Sequence, residues 1–112
     1  MTKEGLKEWF WNMYSSCYTI ENDNGIDMCY DKNFIRQRKF ARLLGKDIKI
    51  PTTVTNVIFH INLRNQYLYV DWNQIWVKFE QYGYKTYGGE TESIIREILM
   101  EHDITLKPIV YF

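Results

Sequence analysis

Apolar residues recur along the chain with two periods, near 3.6 and near 2, and the switches between them predict most of the architecture. From Thr2 to Ser16, Leu6, Phe10 and Met13 fall at i, i+4 and i+7 with Trp9 and Tyr14 beside them, the stripe of an amphipathic helix. CYTIENDNGIDMCY then reads as two strands around Asn24-Gly25, a dipeptide suited to a tight hairpin turn. With that pair as the loop, Asp23 faces Ile26 and Ile20 faces Cys29.

Asp31 is the expected N-cap of a second helix and Gly45 its stop. DIKIP alternates like a short strand. VTNVIFHINL and YLYVD form a further hairpin with its turn at Arg64 to Gln66, placing Val57, Phe59, Ile61 and Leu63 on one side and Asn56, Ile58, His60 and Asn62 on the other. Asp71 caps a helix that runs to Tyr82, with Trp72, Ile75, Trp76, Phe79 and Tyr82 on its inward face and Gly83 as its stop. Thr91 is the expected cap of ESIIREILMEH, and ITLKPIVYF closes as a strand whose Pro108 suits a sheet edge. The order α-ββ-α-β-ββ-α-α-β predicts an α+β fold, antiparallel hairpins packed with about four helices.

At 112 residues, the chain is expected to form a single globular domain over 1–112. With 46% hydrophobic and 25% charged residues it lies far from the composition of disordered chains. The first residues lack the apolar core of a signal peptide, and no apolar run approaches the roughly 18 residues of a membrane span. A cytoplasmic protein with no membrane partner is the expectation, with Cys17 and Cys29 as free thiols. Ile, Lys, Tyr, Asn and Phe are abundant, whereas Ala occurs once, at position 41. That bias follows AT-rich codons and points toward a phage or mobile element, with the host cytoplasm as compartment.

Residues with catalytic or metal-binding chemistry are sparse. His60 and His102 lie on different elements, and the Cys17/Cys29 spacing matches no common zinc pattern, so no metal or cofactor is expected. Asp71 is accounted for as a cap, which stabilises its charged form. Ser15, Ser16 and Cys17 have no histidine beside them to make a nucleophile pair. Gly88-Gly89 before a helix resembles a phosphate cradle, but Glu90 and Glu92 would repel the anion. Nothing in this set implies an enzyme.

Charge changes the picture most. The formal net charge is zero, yet Lys32, Arg36, Arg38, Lys39, Arg42, Lys46 and Lys49 stand against Asp47 alone between positions 32 and 49, a local net of +6. At about 100° per residue, Phe34, Phe40, Ala41 and Leu44 gather inward, Arg36, Arg38, Lys39 and Arg42 outward, and Ile35 and Leu43 at the margins. A helix-turn-helix across FARLLG and PTTVTNVI would need a helix over Thr53 to Ile61, which the β-branched residues there oppose. Tyr82, Tyr84 and Tyr87 around Lys85 offer a second contact surface able to stack on bases or anchor a protein.

The sequence thus supports a small non-enzymatic protein that docks a host macromolecule through a basic helix. Its expected partner is an acidic protein surface or a nucleic-acid complex, inhibited or modulated by the contact. The alternative is a regulator that binds DNA or RNA directly. The residues expected to carry either role are Lys32, Arg36, Arg38, Lys39, Arg42, Lys46, Tyr84, Lys85 and Tyr87.

Overall fold

A computed structural model of the chain describes residues 2–84, 89–104 and 108–112. Four helices and five strands follow in the order α1 (Lys3–Ser16), β1 (Tyr18–Asn22), β2 (Gly25–Cys29), α2 (Lys32–Leu43), β3 (Val57–Asn62), β4 (Leu68–Val70), α3 (Trp72–Gln81), α4 (Gly89–Glu101) and β5 (Ile109–Tyr111). This is an α+β fold. The strands form one sheet in sequence order, antiparallel from β1 to β4, with β5 added parallel to β4 at the edge. Pro108, which has no N–H, precedes that edge strand, and its carbonyl accepts the Leu68 N–H at 2.9 Å.

The caps act where short polar side chains precede apolar stripes. Thr2 accepts the Gly5 N–H at 3.1 Å, and Asp71 accepts the Asn73 N–H at 3.0 Å. α1, α3 and α4 bury Leu6, Phe10, Met13, Ile75, Phe79, Ile94, Ile95, Ile98 and Leu99 in a main cluster with the sheet residues Met28, Phe59, Leu68 and Val70. α2 lies on the opposite sheet face over a second, smaller cluster of Tyr18, Cys29 and Phe34. Opposite charges join α1 to α4: Lys3 pairs with Glu97 at 2.9 Å, and the buried Lys7 pairs with Glu101. Glu97 is held below the usual carboxylate range by its hydrogen bond from Lys3.

Several expectations are corrected. The first hairpin pairs Asn22 with Gly25 and Tyr18 with Cys29, so its loop is Asp23-Asn24 rather than Asn24-Gly25. The Asn22 side chain closes that turn by accepting the Asn24 and Gly25 N–H groups at 3.0 and 3.1 Å. Gly25 is required by the third strand: at φ +149°, a Cβ there would stand 2.0 Å from the Ile61 carbonyl oxygen. The shifted register also leaves Cys17 beyond the pair that holds Cys29, and both cysteines are free.

No strand forms over 47–51, where Ile48 instead packs under α2. The strict alternation expected for β3 is broken by a bulge opposite Met28 and Cys29, which brings both Ile58 and Phe59 into the main cluster and leaves Val57 on the other face. Trp76, expected inside, is 41% exposed. α4 begins at Gly89, so Thr91 is a buried helical residue instead of its cap.

Candidate functional site

α2 opens on Asp31, whose carboxylate accepts the Asn33 and Phe34 N–H groups at 2.8 and 3.3 Å. It closes on Gly45 at φ +67°, with the Lys46 N–H returning to the Ala41 carbonyl at 2.8 Å. Between these caps Phe34 is the only buried residue. It meets the Tyr18 ring edge-on, with centroids 5.2 Å apart.

The inward and outward faces differ from the helical-wheel expectation. Phe40 and Leu44, expected inside, are 65% and 55% exposed, and Leu43 is 84% exposed. The cause is the small extent of the sheet beneath: the second cluster offers only Tyr18 and Cys29, edged by Ile20, Ile48 and Val57, and Phe34 fills it. In the last two turns of α2 only Arg38 and Ala41 are half-buried, and the other residues are exposed. Arg38, expected outward, is half-buried. Its guanidinium donates to the Ser16 carbonyl at 3.1 Å and lies over the Phe34 ring 5.1 Å from the centroid. Burial and then the neighbouring Arg42 charge push its pKa down.

The other cations remain at the surface. Lys32, Arg36, Lys39, Arg42, Lys46 and Lys49 are exposed, and among the described residues none of them forms an ion pair. Their positions also place like charges at i, i+3 and i, i+4, as in Lys32/Arg36, Arg36/Lys39 and Lys39/Arg42. Each such pair costs a few tenths of a kcal/mol, about 0.2–0.5. Arg38, Arg42 and Lys46 converge with Phe34, Asp47, Ile48 and Ile50 on a cleft of about 230 Å³. It is a cationic notch with apolar walls, suited to a carboxylate or phosphate group carried by a larger partner.

Tyr84 is not part of this surface. It packs, half-buried, against the main cluster across the sheet from α2, with its N–H bonded to the Phe79 carbonyl at 3.0 Å. Lys85 and Tyr87 lie outside the described residues. A recognition helix over Thr53 to Ile61 is absent, since β3 occupies Val57–Asn62.

A second constellation went unnoticed in the sequence. On the sheet face that α2 leaves open, register aligns Asp27, His60 and Tyr69 across β2, β3 and β4. His60 Nδ1 lies 2.6 Å from Asp27 Oδ1, and Asn22 Nδ2 donates to Asp27 Oδ2 at 2.7 Å. The period-2 pattern had put His60 and Asn62 together, but only strand register brings Asp27 to them.

Among the described residues, no group of three or more His, Cys, Asp or Glu is placed to hold a metal ion. Among the same residues, no helix is long and apolar enough to cross a membrane. Comparison with protein-family models, curated proteins and solved structures finds no match.

Proposed function

We propose that the protein is a non-enzymatic docking protein that uses α2 to seize an acidic surface on a host protein, one that handles nucleic acid in the phage or mobile-element setting suggested by composition. The observation that carries this reading is the unpaired state of six cations, four on α2 (Lys32, Arg36, Lys39 and Arg42) and two just after it (Lys46 and Lys49), beside the exposed Phe40, Leu43 and Leu44. A helix that keeps like charges adjacent and apolar side chains in water sacrifices stability, and a partner surface supplies the compensation on binding.

The mixture favours protein over duplex DNA. Phosphates pair with cations but offer nothing to Phe40, Leu43 and Leu44, whereas protein interfaces combine arginine and aromatic anchors with an apolar centre. The notch at Arg38, Arg42 and Lys46 then receives an Asp or Glu side chain, and the apolar residues beside it close around the contact.

The test is capture from host lysate with immobilised protein, with and without nuclease, beside an Arg36→Glu, Lys39→Glu, Arg42→Glu triple variant. Nuclease-resistant capture that the triple variant loses supports protein docking. Capture abolished by nuclease transfers the role of α2 to nucleic acid.

A further inference from the structure

From the open sheet face, we infer that the protein also binds single-stranded nucleic acid, stacking unpaired bases on Tyr67, Tyr69 and Phe112 and contacting a base edge with His60. This goes beyond docking through α2: the stacking and base-contacting side chains are different ones, and the α2 cations add only positive potential beside them.

The rings form a continuous series on one face. Tyr67 and Tyr69 have centroids 6.4 Å apart, Tyr69 and Phe112 6.3 Å, and Tyr69 and His60 6.0 Å. Tyr67 and Phe112 are 36% and 52% exposed, so flat aromatic surface faces solvent along a sheet instead of filling a core. Beside them lies an open cavity of about 390 Å³ lined by Asp27, Val57, His60, Asn62, Tyr69 and Phe112.

The polar groups of this cavity are prearranged. Both Asp27 oxygens are taken, one by His60 and one by Asn22, so the carboxylate is occupied in orienting the imidazole. With Nδ1 donating to Asp27, His60 Nε2 is an acceptor in the neutral ring and a donor in the charged one. Asn62 Oδ1 accepts the Arg64 and Asn65 N–H groups at 2.9 and 3.2 Å, which leaves its amide N–H groups to donate. Aromatic walls with a donor and an acceptor fixed at one end fit a flat, uncharged ring with mixed polar edges. A nucleobase has those properties, while an alkyl chain would leave His60 and Asn62 unpaired.

Charge selects the polyanion. α2, with its unpaired cations, packs on this same side of the sheet, and Arg64 stands on the turn held by Asn62. The acidic helix α4, whose Glu90, Glu92, Glu97 and Glu101 stand against Arg96 alone, lies against the opposite face. Stacking on a sheet requires bases free of a duplex, so single strands are the expected form.

The experiment is fluorescence anisotropy of labelled single strands of about 12 nucleotides, DNA and RNA, with the matched duplex and a mononucleotide for comparison. The expected result is tighter binding of a single strand than of duplex or mononucleotide. Tyr67→Ala and Phe112→Ala, both at exposed positions, should each weaken it by about fivefold to a hundredfold without changing the salt slope. Tyr67→Phe should restore binding, which separates stacking from a folding defect. Equal affinity for single strand and duplex, preference for the mononucleotide, or aromatic variants that bind like the parent would overturn the inference.

Discussion

Phe34→Ala should release α2 from the sheet while leaving the main core folded. Phe34 is 4% exposed and is the single buried side chain of its helix. Truncating a buried Phe costs about 3–5 kcal/mol, and the low end applies at the margin of a cluster as small as Tyr18, Cys29 and Phe34. The edge-on contact with Tyr18 adds about 0.5–1.5 kcal/mol, and the overlying Arg38 guanidinium about 0.5–1 kcal/mol. The total is roughly 4 kcal/mol, on the order of a thousandfold in an opening equilibrium. What remains to hold α2 is the Arg38 bond to Ser16, worth about 1 kcal/mol, and the half-buried Ile35 and Ala41. A 12-residue helix is marginal alone. Hydrogen exchange read by mass spectrometry should therefore show α2 amides losing roughly two to three orders of magnitude of protection while β3 and α4 keep theirs. Unchanged protection in α2, or equal loss in α2 and β3, would refute the idea that one side chain anchors the helix.

Other expected outcomes follow from single residues. Gly25→Ala should cost at least about 3 kcal/mol because of the Ile61 carbonyl 2.0 Å from the new Cβ, whereas Gly45→Ala, with no atom within 4 Å, should cost only about 1–2 kcal/mol for its positive φ; equal urea midpoints would contradict this. Burial and then the neighbouring Cys29 push the Cys17 thiol up to about 12 from 9.0, so iodoacetamide should label it at pH 8 only after unfolding. Because the folded state holds that proton more tightly, its contribution to stability is complete below pH 9 and is lost as pH rises toward about 12, which thermal melts across that window will read. Arg38→Ala should destabilise by about 1–2 kcal/mol through its lost bond and packing, and Arg36→Ala by no more than about 0.5 kcal/mol; identical melts would remove the distinction between an anchoring and a free arginine.

The helices were legible because their apolar stripes and caps are local signals: Asp31 and Asp71 cap where their positions imply, and Leu6, Phe10 and Met13 point inward as spaced. Details set by tertiary contact were not. Asn24-Gly25 has the composition of a two-residue turn, but Gly25 is fixed by the approach of Ile61 from β3, a constraint invisible within the hairpin. The bulge at Ile58 likewise depends on pairing with β2. For the candidate site, the sequence located the cations but misassigned their neighbours. A helical wheel turns Phe40 and Leu44 toward a core on the assumption that one lies beneath, and the sheet under α2 is too small to supply it. Arg38 was counted with the outward charges because the Ser16 carbonyl that binds it is 22 residues away in sequence. The Asp27–His60 pair is 33 residues apart and arises only from register.

The central claim is that the exposed cations of α2 serve a partner instead of the fold. The direct measurement is the affinity of the Arg36→Glu, Lys39→Glu, Arg42→Glu variant for the nuclease-resistant partner, with its melting temperature taken on the same sample. Binding should fall by at least about tenfold while the melting temperature holds, because no ion pair within the described residues is broken, position 36 turns from repelling to attracting Lys32, and the 36/39 and 39/42 pairs repel as they did before. Parental affinity, or a melting temperature that drops because those side chains were stabilising the chain itself, would contradict the claim.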